Sequence, residues 1–199
     1  MKGKELIKLE HLSILEINGK GSFDLLQGQI TSDMEKVSYN NCVLGSICDI
    51  KGRVVSSFIT ALNEKENNSF FLVGETNALK ATRKVLEKYQ PFYDCSLKQR
   101  EDIKFYAIEE SNLIRDFPES KLDISLQNYD SFFRLHYLEK KYHLVAFTES
   151  REFKGYNISS DKLPWELDEI INQNFEITSE VINKFTPHEL GYHLNNRID

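Results

Sequence analysis

Apolar and polar residues alternate in short runs along most of this chain, and a helical period breaks in at only a few places. Residues 4–19 alternate, and Leu12, Ile14 and Leu15–Ile17 predict a strand or hairpin closed by the turn pair Asn18-Gly19. Ser22 then suits the start of a short helix through Phe23, Leu25 and Leu26, with Gly28 as a left-handed exit. Residues 42–48 are an apolar run of strand length, followed by Asp49-Ile50-Lys51-Gly52 and by Arg53–Leu62, rich in Val, Ile and Phe. This predicts a hairpin with Gly52 at positive φ near the end of its turn. Polar residues 63–69 make a second turn, with Phe70–Val73 as the returning strand. From Thr76 the period changes: Leu79, Thr82, Val85, Leu86 and Tyr89 fall on one helical face, and Pro91 stops the helix. Strands are expected at 93–99, 103–108, 132–137 and 142–147. Pro164-Trp165 opens a last helix through Leu167, Ile170 and Ile171, with Asn174 as its cap. Hairpins and helices without regular βαβ alternation predict an α+β fold.

Composition narrows the function. With 25 Lys plus Arg against 31 Asp plus Glu the net charge is -6, so no global field draws nucleic acid, and no basic run of five occurs. No apolar run approaches the roughly 20 residues needed to span a bilayer, and the opening Met1-Lys-Gly-Lys is not a secretory leader. Three cysteines, Cys42, Cys48 and Cys95, without CxxC or zinc spacing, fit reduced thiols. The expectation is a cytoplasmic protein with no membrane and no direct nucleic-acid partner.

Chemistry-bearing residues are sparse. There is no phosphate-binding glycine loop, nucleophile elbow or HExxH, so no catalytic residue and no metal site is assigned. His188 and His193 are five apart, on different faces of any helix, while His136 and His143 fall on neighbouring strands. Asp33, Glu35 and Asp49 sit where carboxylates bond turn N–H groups. Cys42 and Cys48 share a strand face if the strand runs unbroken, and buried packing is their ordinary role. Trp165 is the only tryptophan, fit either for a core anchor or for a flat wall against a planar heterocycle.

Three segments carry a resemblance. Leu26-Gln27-Gly28-Gln29-Ile30-Thr31-Ser32-Asp33 is similar to the LQGQ-[VI]-T-x-D segment of YgfZ-type proteins, Cys48-Asp49-Ile50-Lys51-Gly52-Arg53 to their CDxKG-[KR] hairpin, and Phe185-Thr186-Pro187-His188-Glu189-Leu190 to a segment late in their folate-binding part. Order and spacing agree along nearly the whole chain. The wider superfamily includes the aminomethyltransferase of glycine cleavage, GcvT. The resemblance implies a GcvT/YgfZ-like folate-binding fold: residues 1–48 plus 103–199 as a discontinuous domain, and 49–102 as an inserted ferredoxin-like domain. It implies tetrahydrofolate as cofactor, with Trp165, Asp49, Lys51 and Gln29 as folate-binding residues.

The transferases carry two acidic residues shortly after the glycine turn, where this chain has Ser56 and Ser57, so the resemblance favours the YgfZ-like branch. That branch implies a folate-binding accessory protein in iron–sulfur cluster assembly or repair, linked to tRNA modification, with iron–sulfur client or assembly proteins as partners. The alternatives are a glycine-cleavage-type aminomethyltransferase and a degenerate interaction module. A second tryptophan of the family corresponds to Leu12, which cannot stack in the same way. The hallmark Lys-Gly-Cys-aromatic-x-Gly-Gln-Glu is expected just beyond Asp199, and the family's C-terminal β-barrel after it. Without the barrel, an exposed apolar face and self-association are expected.

Overall fold

The computed structural model describes residues 4–38, 41–63, 68–112, 132–135, 141–148 and 155–198, which carry the strands and helices named below. The strands are β1 (Lys4–Lys8), β2 (Leu12–Asn18), β3 (Val43–Cys48), β4 (Val54–Leu62), β5 (Ser69–Glu75), β6 (Ser96–Arg100), β7 (Ile103–Glu109), β8 (Phe132–Leu135), β9 (Tyr142–Thr148) and β10 (Tyr156–Ser159). The helices are α1 (Ser22–Gln27), α2 (Thr76–Leu86) and α3 (Leu163–Ile171), with 3-10 turns at Met34–Lys36 and Gln90–Phe92. The α+β class expected from the sequence is what the chain adopts.

Two five-stranded sheets form, ordered β10-β1-β7-β9-β8 and β3-β4-β5-β2-β6. The second is antiparallel throughout, while the first has one parallel pair, β1 with β10. Alternation sends Ile7, Phe105, Ala107, Leu144 and Ala146 of the first sheet and Ile14, Leu44, Ile59, Phe71 and Val73 of the second into one shared core, which Trp165 joins. The opposite face of the second sheet, with Leu15, Ile17, Phe70 and Leu72, packs on Leu25 and Leu26 of α1 and Leu79 and Leu86 of α2. The layers are therefore sheet, sheet, helices.

The expected boundary at 48/49 runs through the β3–β4 hairpin, whose strands pair from Val43↔Thr60 to Cys48↔Val54. β2 lies between β5 and β6, so residues 12–18 and 43–48 share a sheet with the strands of 49–102. Backbone pairing joins these segments more tightly than chain order suggests.

Local signals explain several elements. Gly52 takes φ +73 in the hairpin turn, as expected, and no atom lies within 4 Å of where its Cβ would stand. Glu75 caps α2, its carboxylate accepting from the Ala78 N–H at 2.7 Å. Gly28 stays right-handed, with φ -82, because the chain winds on beyond α1: the N–H groups of both Gln29 and Ile30 return to the Leu26 carbonyl. The left-handed residue after α3 is Gln173, with φ 55, rather than Asn174. A register shift at Ile47/Cys48 breaks strand parity, so Cys42 packs in the inter-sheet core while Cys48 packs by Val54 and Tyr192. Burial raises the Cys42 thiol to about 12.

Candidate ligand-binding site

A cavity of about 510 Å³ opens where the two sheets meet α3 and the C-terminal coil. That volume lies within the usual range for small-molecule sites. Strand alternation supplies one wall: Ser57 and Ile59 of β4 with Val73 and Glu75 of β5. His11 and Leu12 enter at the β1–β2 turn, Lys162 stands just before α3, and α3 contributes Trp165, Glu166, Glu169 and Ile170. Glu176 and Arg197 complete it from the coil.

Trp165 is only 5% exposed: it packs in the inter-sheet core and is also among the residues that line the hollow. Arg197 is buried, donating from Nη1 to the carbonyls of Gly45 at 2.7 Å and Phe58 at 2.9 Å, and from Nη2 to Asn174 Oδ1. Its guanidinium lies 4.9 Å from the centre of the Tyr192 ring. These bonds tie the coil across β3 and β4, fixing that wall. Tyr192 in turn donates its hydroxyl to the Phe175 carbonyl at 2.8 Å, and burial raises its pKa.

At the rim, His11 stands between Lys162 Nζ, 3.4 Å from its Nδ1, and Glu176 Oε2, 3.4 Å from its Nε2. Four glutamates, Glu75, Glu166, Glu169 and Glu176, face the cavity against the fixed cations Lys162 and Arg197. A mostly apolar wall that includes Phe58, Trp165 and Phe175, with these carboxylates beside it, suits a planar heterocycle bearing N–H donors. Ser57 offers only a hydroxyl, which accepts the Ile177 N–H at 2.9 Å, while Ser56 points the other way and bonds Thr82 of α2.

Of the residues named from the sequence, Leu12, Ser57, Trp165 and Asn174 line the cavity, and Asp49, Lys51 and Gln29 are not among its lining residues. Asp49 organises its own turn, accepting from the N–H groups of Lys51 at 2.8 Å and Arg53 at 2.9 Å. The Arg53 N–H is the main reason its carboxyl is held below the usual range. Lys51 is exposed, and Gln29 bonds back to the Leu26 carbonyl at 3.0 Å. Asp33 caps the first 3-10 turn through the Glu35 N–H at 3.0 Å. His188 and His193 bring their rings within 5.1 Å, but no group of three metal-binding side chains occurs among the described residues. His143 is buried 3.6 Å from Glu110, and its suggested partner His136 lies outside the described residues. Sequence reasoning missed His11, Glu75, Glu176 and Arg197. Glu75 was legible as a helix cap directly before Thr76; the others carry no local signal.

No family model matches the chain. Among curated proteins it is 28% identical over 103 residues to the tRNA-modifying protein YgfZ of Colwellia psychrerythraea, covering 52% of this chain and 31% of that protein. It is 23% identical over 200 residues to the tRNA-modifying protein YgfZ of Buchnera aphidicola, covering 97% and 59%. Its fold is similar to the crystal structure of glycine cleavage system aminomethyltransferase T from Bartonella henselae, with a TM-score of 0.61 at 15% identity over 73% of this chain and 42% of that one. The chain is thus similar in sequence to YgfZ proteins and shares its fold with the aminomethyltransferase. A similar protein of Haemophilus influenzae, named only as uncharacterized, is 25% identical over 187 residues. The chain spans 31%, 60% and 59% of the lengths of these three curated relatives. Among its described residues no helix is long and apolar enough to cross a membrane.

Proposed function

We propose that this YgfZ-like chain binds tetrahydrofolate in the cavity beside Trp165. It serves there as a cytoplasmic folate-binding accessory protein in iron–sulfur cluster assembly or repair, linked to tRNA modification. The observation that carries the reading is that the single tryptophan lines a hollow of about 510 Å³ together with four glutamates. A reduced pterin presents a flat ring for the indole and several N–H donors for the glutamates. Of the four residues expected to hold folate, the proposal rests on Trp165. Titrating tetrahydrofolate against indole fluorescence tests it, because Trp165 is the sole tryptophan. Saturable quenching is expected, and its absence at millimolar folate removes the small-molecule half of the reading.

Glu75 and Glu176 favour a second reading, a folate-dependent aminomethyltransferase, since they bring carboxylates to the cavity that Ser57 lacks. Absence of turnover with a methylamine-loaded carrier protein ends that reading. As an interaction module, the chain would bind iron–sulfur assembly proteins with or without folate, and pull-downs in both conditions separate this from the first. Self-association belongs to the proposal too: α3 turns Leu163, Leu167, Ile170 and Ile171 outward as one apolar face.

A further inference from the structure

Helix α3 faces the wrong way for its pattern. Leu163, Leu167, Ile170 and Ile171 recur at i, i+4, i+7 and i+8, the spacing of a stripe that ordinarily packs inward. Yet all four are exposed, Ile171 at 77%, and the buried residues of α3 are Trp165 and Asp168. These two are three apart and therefore share the opposite face.

A buried carboxylate is unfavourable unless it is hydrogen-bonded, and Asp168 is. Its Oδ2 accepts the Tyr142 N–H at 3.1 Å and its Oδ1 the Lys141 N–H at 3.4 Å, at the start of β9. The Asn172 side chain, one turn on, donates to the Asp168 carbonyl at 2.8 Å. Asp168 thus ties α3 to the first sheet one turn beyond the indole. Without the tie, apolar burial favours a roll of the helix that brings Leu167 and Ile171 inward and turns the indole out of the cavity wall.

We infer that Asp168 is the positioning residue that holds Trp165 in the wall of the cavity. The affinity part of its test rests on the folate reading above; the spectroscopic part stands without it. In Asp168→Ala, the indole emission shifts to the red and its acrylamide quenching rises about twofold, while tetrahydrofolate binding weakens roughly tenfold, the scale of one charge-assisted hydrogen bond. Asp168→Asn keeps an acceptor oxygen and restores emission and most of the affinity. A merely structural role lowers the melting temperature and leaves the emission of the folded protein unchanged, and that result overturns the inference.

If Asp168→Ala does not fold, Asp168→Ser, which is too short to reach the Tyr142 N–H, decides by the same two readouts. A red shift with about twofold higher acrylamide quenching supports the assignment, and unchanged emission of the folded variant overturns it. If the parent chain binds no tetrahydrofolate, the folate reading fails, and the emission shift alone decides the role of Asp168.

Discussion

Helices α2 and α3 carry the same kind of amphipathic pattern and use it in opposite ways. α2 lays Ala78, Leu79, Thr82 and Leu86 on the second sheet and turns its polar side to water. α3 turns its leucines and isoleucines to water and buries one indole and one carboxylate. The difference teaches that a periodic stripe identifies a face but not its partner. α2 has a sheet waiting for it, whereas α3 is oriented by two polar-capable residues at the edge of a cavity. Such local conflicts tend to gather at functional sites.

The comparison breaks most readily by truncation. Leu79→Ala is expected to cost about 3 kcal/mol in denaturant unfolding, from lost burial plus the cavity left behind. An equal loss from Leu167→Ala would mean that α3 packs like α2 after all. Cys42 sharpens the contrast on the α3 side, because it lies in the inter-sheet core and also borders a second hollow next to Ile171. Burial keeps its thiol neutral up to about pH 12 in the folded chain, against about 9 for an exposed thiol. The unfolded chain therefore loses this proton first as pH rises. Stability from this group is complete below about pH 9 and declines toward pH 12, by roughly 2 kcal/mol over the first two units. Cys42→Ala should remove that part of the alkaline decline, and an unchanged decline would show a wet thiol and a looser core under α3.

Glu75→Ala should cost about 1 kcal/mol by removing the cap of α2, measured in the same unfolding experiment. The smallest stability effects belong to the outer face of α3, where Leu167→Ala and Ile171→Lys should each stay within about 0.5 kcal/mol. Ile171→Lys should still abolish self-association, read by sedimentation at high micromolar concentration. A parent chain that sediments as a clean monomer there counts against an outward-facing association surface.

Legibility followed the range of the signal. The β3–β4 hairpin, its Gly52 and α2 are local, and they were readable because turn chemistry and period act over a few residues. The pairing of β2 between β5 and β6 was not, since neither edge leaves a mark in neighbouring sequence. Of the site, Trp165 stood out as a lone indole. His11, Glu176 and Arg197 come from segments up to 186 residues apart, and nothing but folding brings them together. The motif carrying the clearest resemblance, the turn at Asp49, uses its carboxylate on its own backbone.

One pairing has a consequence during synthesis. β1 is hydrogen-bonded on one edge to β7 and on the other, in parallel, to β10 at Tyr156–Ser159. Every strand of the other sheet lies within residues 12–100. On the ribosome that sheet can therefore close while Leu6 and Ile7 are still unpartnered on their outer edge, and they wait roughly 10 to 30 seconds, at ordinary elongation rates, for their last neighbour to emerge. β1, made before every strand of the other sheet, is thus sealed after all of them.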